Sequence, residues 1–328
     1  MGPVRRLIGR AAAMAGAMVL ALAAAGAVYQ MVAVRRDASR FPPPGALVDV
    51  GGRRLHVVCE GQGSPAVVFE SSGLGTSLSS ERVRAEVRAR TRTCAYDRMG
   101  MGWSDPGPRG ISAGVLADDL ERLLARAAIP PRYVIVAASI GGMVAELFAR
   151  RHPGEIAALV FVDGADSVML ERAASQITRT QIEGVCLARV AATLGVLRLL
   201  DPLRVRREGD DQSARTVALT YRAEPMATLC GLARGLRTSL AELRAAPPLP
   251  PEIPIVALTH DRPEGFLPPG YDVPIADFEA QWREMQQRLA ARSRYGSWRV
   301  VPGSGHLIAA TQPHAVAAAV LDVLSQAR

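Results

Sequence analysis

Short apolar runs alternate with longer segments of helical character along much of the chain. The apolar runs, each followed by turn residues, lie at 66–69, 92–96, 133–136, 158–162, 253–258 and 298–301. The helical segments lie at 80–90, 112–128, 143–151, 275–292 and 314–326. Strands that alternate with helices predict an α/β fold, in which helices cover both faces of a mostly parallel central sheet.

The alternation stops after Asp163. From 166 to 250 no convincing strand occurs, and the segment is helical in character and rich in Leu, Ala and Arg. A proline-rich stretch, 247–251, closes it. The pattern predicts a helical lid at 166–250, inserted between the two parts of a core at 47–165 and 251–328.

The N-terminus carries an uncharged stretch, 11–34, with arginines on both sides. As a helix it would be about 36 Å long, enough to cross a bilayer core of about 30 Å. Residues 1–34 are therefore a signal-anchor or a signal peptide cut near 25–27, with a buried core helix as the third alternative. The first two would export the rest of the chain. Residues 35–46, which contain three consecutive prolines, are expected to form a linker.

Composition excludes some partners. The chain of 328 residues has a formal charge of +8, and all 39 of its basic residues are arginine. Aromatic residues make up only 5%, and no arginine cluster is interleaved with them, so we expect no nucleic-acid partner.

The four cysteines lack the spacing typical of metal ligands, so they form either two disulfides or four buried thiols.

A turn of small residues, 137–142, separates an apolar run from a helical segment. Ser139 stands in its middle, an arrangement typical of a nucleophile elbow. Amides at the start of the following helix would point to the same place, where an oxyanion could form. Ala137 stands where the common pattern has glycine, and the turn alone is equally typical of a helix N-cap.

A catalytic serine needs a base, and the chain has only five histidines. His306 follows the last predicted strand in a glycine-flanked loop, from which an imidazole could reach the serine. His56, His152 and His314 are expected to be structural. His260 lies in the right neighbourhood but follows a different strand.

Two further motifs, Glu70–Gly75 and Tyr96–Ser104, occur in order with the serine turn and the loop of His306. With them the chain resembles the α/β-hydrolase superfamily, closest to esterase- and lipase-like members. The resemblance covers about 47–164 and 252–328 and is poor in the lid. It implies the α/β-hydrolase fold and a hydrolase without cofactor or metal.

The resemblance also implies roles. Ser139 would attack an acyl carbonyl, and His306 would take and return its proton. The amides of Leu74 and Ile140 would form the oxyanion hole. The segment 96–104 would serve as scaffold.

The acid of the triad stays open between two aspartates. Asp261 lies after the run 253–258, the usual place in this family, but about two residues early. Asp163 ends the preceding run, at a position that some lipases use. We favour Asp163 and keep Asp261 as the alternative, with Asp272 and Asp277 as remote options.

The resulting hypothesis is a membrane-anchored or secreted serine hydrolase that cleaves esters of apolar small molecules or lipids. The alternatives are an amide or peptide hydrolase, and a non-catalytic ligand-binding protein. Dehalogenase and epoxide hydrolase chemistry is disfavoured, because those relatives place aspartate where Ser139 stands. The resemblance also implies the pairings of any disulfides: Cys59 with Cys94, and Cys186 with Cys230.

Overall fold

A computed structural model describes residues 3–108, 110–203, 211–263 and 274–326. Across these ranges the chain forms eight strands and twelve helices, besides two short 3-10 turns. The strands are β1 (Ala46–Asp49), β2 (Arg54–Glu60), β3 (Ala66–Glu70), β4 (Thr93–Tyr96), β5 (Tyr133–Ala138), β6 (Ile156–Val162), β7 (Ile255–His260) and β8 (Ser297–Val301).

The strands form one sheet in the order β1-β2-β4-β3-β5-β6-β7-β8. The pairs β1–β2 and β2–β4 are antiparallel, and every later neighbouring pair is parallel. The central strands β5 and β6 are apolar and buried along nearly their whole length, as expected for a sheet covered on both faces. The predicted mostly parallel sheet flanked by helices is confirmed.

The helices are α1 (Pro3–Arg40), α2 (Glu81–Val87), α3 (Ala113–Arg126), α4 (Gly141–Arg151), α5 (Ser167–Gln176), α6 (Arg179–Thr193), α7 (Val196–Leu200), α8 (Asp211–Thr220), α9 (Ala223–Ala245), α10 (Ile275–Ala291), α11 (Ile308–Thr311) and α12 (Pro313–Gln326). One face of the sheet packs against α3, α4 and α10, and the other packs against α2 and α12. Apolar side chains from both layers form the two halves of the core.

Helices α5 to α9 lie between β6 and β7, and we call residues 166–250 the helical insertion. Both disulfides have the pairings that the resemblance implied, which confirms that expectation. Cys59–Cys94 joins β2 to the neighbouring β4, and Cys186–Cys230 joins α6 to α9 within the insertion.

The N-terminal helix differs from its prediction at one end. Residues 35–40 continue α1 instead of starting a linker, so the helix ends at Arg40. An ion pair of 2.7 Å between Asp37 of α1 and Arg198 of the insertion helps to explain this, because it gives the polar end of the helix a partner. The helix is long and apolar enough to cross a membrane, as an anchor or as a signal sequence.

Candidate active site

Ser139 occupies the sharp turn between β5 and α4. Its φ of +51° lies in the left-handed region, which a serine rarely adopts. Its amide donates to Val162 O at 3.3 Å, and its carbonyl accepts from the amides of Gly142 and Ala165, each at 2.9 Å. These bonds hold the strained turn against the end of β6 and place the serine at the carboxyl edge of the sheet.

The glycines after Ser139 are required by close backbone approach. A Cβ built on Gly141 would lie 2.5 Å from Ser71 O, and one on Gly142 would lie 2.8 Å from Ala165 O. Both distances are too short for a carbon against a carbonyl oxygen. A side chain at either position would therefore push the neighbouring loops away from the serine.

His306 connects the serine to an acid. Its loop follows β8, where the buried Ser304 hydroxyl donates to Val301 O at 2.7 Å. The Nε2 atom of His306 lies 3.0 Å from Ser139 Oγ, and its Nδ1 lies 2.5 Å from Asp163 Oδ2. Three side chains that are remote in sequence thus form one hydrogen-bonded line at the carboxyl ends of β5, β6 and β8.

Asp163 is fully buried and surrounded by donors. It follows β6 with φ +50°, and its amide donates to Leu258 O at 2.8 Å. Its carboxylate accepts from Trp282 Nε1 at 2.9 Å and from the rings of His260 and His306. Burial raises the pKa of Asp163, but the bonds from the two histidines outweigh it and hold that pKa below its usual range. Asp163 is therefore ionised at neutral pH.

His260 is a site residue that the sequence interpretation set aside. It ends β7, is 4% exposed, and donates from Nδ1 to Asp163 Oδ2 at 2.6 Å. Its Nε2 lies 2.7 Å from Glu279 Oε2. Burial lowers the pKa of His260, but the two carboxylates prevail and raise it to about 9. His260 is thus a cation between Asp163 and Glu279.

The sequence did contain a signal for His260. Neighbouring parallel strands end at the same edge of a sheet, and β7 pairs directly with β6. Two polar residues that end adjacent strands should be expected to meet. Glu279 and Trp282 were missed for another reason, since both come from one face of α10, which packs against β7.

The alternative acids are placed elsewhere or lie outside the structure. Asp261 Oδ2 accepts from Gly303 N at 2.9 Å, and its amide donates to Ser304 O at 3.3 Å. Asp261 therefore fixes the loop that carries His306. Asp277 lies in the first turn of α10. Asp272 falls outside the described residues.

The loop after β3 lies beside the serine turn. A Cβ built on Gly73 would lie 3.5 Å from Ile140 Cδ1, so the loop of Leu74 passes close to the Ile140 side chain. In the part of the chain that the structure covers, neither the Leu74 nor the Ile140 amide donates to a protein acceptor. Two amides without a protein acceptor near the turn of Ser139 would be available to an oxyanion.

Arg98 stabilises this loop through hydrogen bonds to its backbone carbonyls. Its guanidinium donates to Ser72 O and to Gly73 O, the latter at 3.2 Å. It also forms a 3.4 Å ion pair with Glu70, and both side chains are buried. Burial raises the pKa of Glu70, with Arg98 and the Tyr96 hydroxyl acting against it. The motif at 96–104 thus supports the loop, as the resemblance implied.

Asp163, His260 and His306 also form a group with metal-ligand chemistry, since their donor atoms all lie within 4.8 Å of one another. However, Asp163 Oδ2 lies 2.5 and 2.6 Å from the two Nδ1 atoms. Two ligands on one zinc ion are about 3 Å or more apart, given bond lengths of about 2 Å. We therefore interpret the group as hydrogen-bonded pairs.

Comparison with known proteins gives a family match over most of the chain. A family model described as the alpha/beta hydrolase family matches residues 63–319. The match begins before β3 and ends within α12, so it includes every site residue described above.

Individual relatives are more distant. An uncharacterized protein of Schizosaccharomyces pombe is 40% identical over 89 residues, 27% of this chain and 17% of that protein. The putative carbamate hydrolase RutD of Variovorax paradoxus is 32% identical over 114 residues, 33% of this chain and 42% of its own. The chain thus spans less than half the length of either relative.

Solved structures share the fold. A thermophilic esterase from Thermogutta terrifontis superimposes with a TM-score of 0.61 at 18% identity, over 86% of this chain and 97% of the esterase. At that identity the likeness establishes a common architecture.

Proposed function

The chain belongs to the alpha/beta hydrolase family, and from that premise we propose that it is a serine hydrolase that cleaves carboxylic esters through an acyl-enzyme. One observation carries the proposal. The imidazole of His306 lies between Ser139 Oγ at 3.0 Å and the ionised Asp163 at 2.5 Å. This is the geometry by which a serine is activated and an imidazolium is stabilised.

The proposed reaction begins with attack of Ser139 Oγ on the ester carbonyl carbon. The hydroxyl proton moves to His306 Nε2, and the carbonyl oxygen becomes an oxyanion held by the amides of Leu74 and Ile140. The C–O bond to the alcohol then breaks, and His306 returns its proton to the leaving alcohol. Water repeats the sequence on the acyl-serine and releases the acid.

Asp163 supports this cycle through its charge. When His306 is protonated, the adjacent carboxylate offsets the new positive charge and holds the ring with Nε2 toward the serine. His260 and Glu279 add one positive and one negative charge. The three-residue group of Asp163, His260 and Glu279 therefore keeps a net negative charge next to His306, although Asp163 is shared between two rings.

Apolar neighbours support an apolar substrate. Leu229 of α9 and Ile140 both lie within 4 Å of a Cβ built on Gly73, so two apolar side chains lie beside the proposed oxyanion loop. Apolar side chains next to the reacting atoms are typical of sites for small apolar ligands.

We also propose that α1 is an uncleaved membrane anchor with the catalytic domain on the exported side. The helix continues without a break through the expected cleavage region at 25–27, and its later turns pack on the insertion. Two disulfides agree with an oxidising compartment.

A fluorophosphonate probe tests the proposed nucleophile. The full-length protein in detergent should be labelled on Ser139, and Ser139→Ala should abolish labelling and hydrolysis of p-nitrophenyl esters. Ser325→Ala, a change on the exposed last turn of α12, is the matched control and should label normally. A folded wild-type protein, checked by circular dichroism, that is not labelled and turns over no ester would refute the proposal.

A further inference from the structure

The two halves of α1 have different surroundings. Every side chain from residue 8 to residue 22 is exposed. From Ala23 onward a stripe of partly or fully buried positions recurs at helical spacing and faces the insertion: Ala23, Gly26, Ala27, Gln30, Ala33, Val34 and Asp37. The helix thus docks on the insertion over its later turns and extends away from it over its earlier ones.

The docking contact is close and specific. A Cβ built on Gly26 would lie 2.4 Å from Leu194 O, and one on Gly195 would lie 2.8 Å from a ring carbon of Tyr29. Gln30 is 5% exposed, and its side chain donates to Tyr221 O at 2.7 Å. Backbone approach this close fixes α1 against the junction of α6 and α7.

The length of the apolar segment sets the depth of this junction. If α1 crosses a membrane, a hydrocarbon core of about 30 Å takes about 20 helical residues. Counted from Ala11, the helix leaves the hydrocarbon near Gln30. Tyr29 suits that level, because tyrosine is enriched where helices leave the hydrocarbon. Gly195 contacts Tyr29 at this level, and Leu194 contacts Gly26 about 6 Å deeper, so the junction would lie at or just inside the membrane surface.

Exposed apolar side chains surround the same junction. We call them the α6–α7 face: Leu187, Val190, Val196, Leu199, Leu200 and Leu203. Leu187 is 65% exposed, Leu199 61% and Leu200 72%. Those in α6 and α7 lie within about 11 Å of the junction along the helix axes, given the rise of an α-helix, and Leu203 follows shortly after α7. Large exposed apolar side chains concentrated in one short segment, here 187–203, favour a binding role for it.

We propose that the α6–α7 face lies in the interfacial layer of the membrane that α1 crosses. The inference rests on the proposed anchor and goes beyond it, because an anchor alone does not dictate how the domain is oriented. The α6–α7 face adjoins the turn of α1 that would leave the membrane, and this favours lipid over a second protein copy as the material that covers the face. Charge agrees as well, since Arg35, Arg36 and Arg189 are exposed near this level and suit anionic headgroups.

This orientation connects the membrane to the candidate active site. Leu187 follows Cys186, which is bonded to Cys230 of α9. Leu229, which precedes Cys230, lies within 4 Å of a Cβ built on Gly73, next to the proposed oxyanion amides. With this orientation we expect amphiphilic esters as substrates, whose apolar part stays in the leaflet while the ester group enters the site.

Site-directed fluorescence tests the orientation on the full-length protein. Leu187→Cys and Leu200→Cys variants are labelled with NBD and reconstituted in vesicles of phosphatidylcholine and phosphatidylglycerol. Tyr295→Cys is the matched control, because Tyr295 is 63% exposed but lies before the amino end of β8, whereas the insertion begins at the carboxyl end of β6. Lipids that carry a nitroxide near the headgroup should quench the first two labels about twofold and leave the control label unchanged.

The outcomes separate the proposals. Labels at 187 and 200 that are not quenched, in protein that resists alkaline carbonate extraction, would overturn the orientation and keep the anchor. Blue-shifted but unquenched labels would also overturn it, in favour of a protein partner such as a second copy. Protein that carbonate extracts would overturn anchor and orientation together. Fluorophosphonate labelling reports on the nucleophile independently of all three.

Activity provides a second readout. Leu199→Glu combined with Leu200→Glu should reduce hydrolysis of a vesicle-borne ester roughly tenfold, because two charges oppose burial in the interface. Hydrolysis of a soluble short-chain ester should stay within about twofold of wild type if only access from the leaflet is affected. Equal loss on both substrates, or no loss on either, would contradict the orientation.

Discussion

The sheet and the helical insertion distribute polar and apolar side chains in opposite ways. Near the candidate active site the sheet buries its charged groups: Asp163 and Glu70 are inaccessible, and His260 is nearly so. The outer helices of the insertion, α6 and α7, expose leucines to the outside instead. This difference agrees with the two proposals above, in which the sheet would position the reactive groups and the insertion would determine how the domain lies on the membrane.

One helix of the insertion belongs with the sheet rather than with α6 and α7. Glu242 of α9 accepts from the Ser112 hydroxyl and the Gly114 amide, each at 2.7 Å, at the start of α3. Thr228 donates to Met99 O at 3.1 Å. Helix α9 is therefore attached to the core at both ends, and α6 reaches the core through α9 and its disulfide.

The largest expected effect concerns the proposed active site at the edge of the sheet. Asp163→Asn should lower kcat about a thousand- to ten-thousandfold, because an amide cannot offset the charge of a protonated His306 and favours the wrong tautomer. Asp261→Asn should lower it less than about tenfold, since Asp261 contacts only the loop of His306. Steady-state kinetics on a soluble p-nitrophenyl ester measure both.

The same two variants, Asp163→Asn and Asp261→Asn, decide which of the two aspartates is the acid of the triad. Thermal unfolding of both variants is the control, because loss of folded protein would also lower kcat. If Asp261→Asn proved the more damaging change in folded protein, the assignment of Asp163 would be wrong, and the loop of His306 would have to rearrange when substrate binds.

The second effect concerns the insertion. Replacing Cys186 and Cys230 by alanine opens a loop with a sequence separation of 44. Loop-closure entropy then predicts a loss of about 3–4 kcal/mol in the free energy of unfolding. Because α9 keeps its contacts with α3, we expect α6 to become protease-sensitive while the sheet stays folded.

Limited proteolysis with mass spectrometry measures this, with cleavage expected between residues 179 and 200. Replacing Cys59 and Cys94, which join two paired strands, is the matched control and should destabilise the sheet itself. If both double variants unfolded in one identical transition without early cleavage in α6, the insertion and the sheet would be a single cooperative unit, and the comparison would fail.

Sequence reasoning reached the sheet and much of the candidate site because those parts depend on local order. A small-residue turn after an apolar run marks Ser139, and a glycine-flanked loop after the last strand marks His306. The acid stayed open because Asp163 and Asp261 both stand beyond apolar runs, and only the packing distinguishes them. In the structure Asp163 reaches the imidazole, whereas Asp261 binds the backbone of Gly303.

What sequence reasoning missed depends on tertiary contacts. His260 was set aside because each strand end was examined for one role, although β6 and β7 end side by side. The polar residues 35–40 resembled a linker, yet they continue α1 where Asp37 meets Arg198. The α6–α7 face has no sequence signature, since leucines at helical spacing are equally typical of a buried helix.

The smallest expected effect is a change of the melting temperature with pH, which tests whether His260 is charged in the folded protein. The pKa of His260 is raised to about 9 in the folded protein, from 6.5 when unfolded. Its stabilising contribution is therefore complete below about pH 6.5 and is lost as the pH rises through about 9. The melting temperature of the wild type should accordingly fall by a few degrees over this interval.

His260→Gln should remove that dependence on pH, and Glu279→Gln should reduce it by removing one of the two carboxylates that favour the cation. His314→Gln, at a histidine whose side chain is 83% exposed, is the matched control and should keep the slope. A slope that survived in His260→Gln would mean that another group titrates there and that His260 is not the buried cation of the sheet.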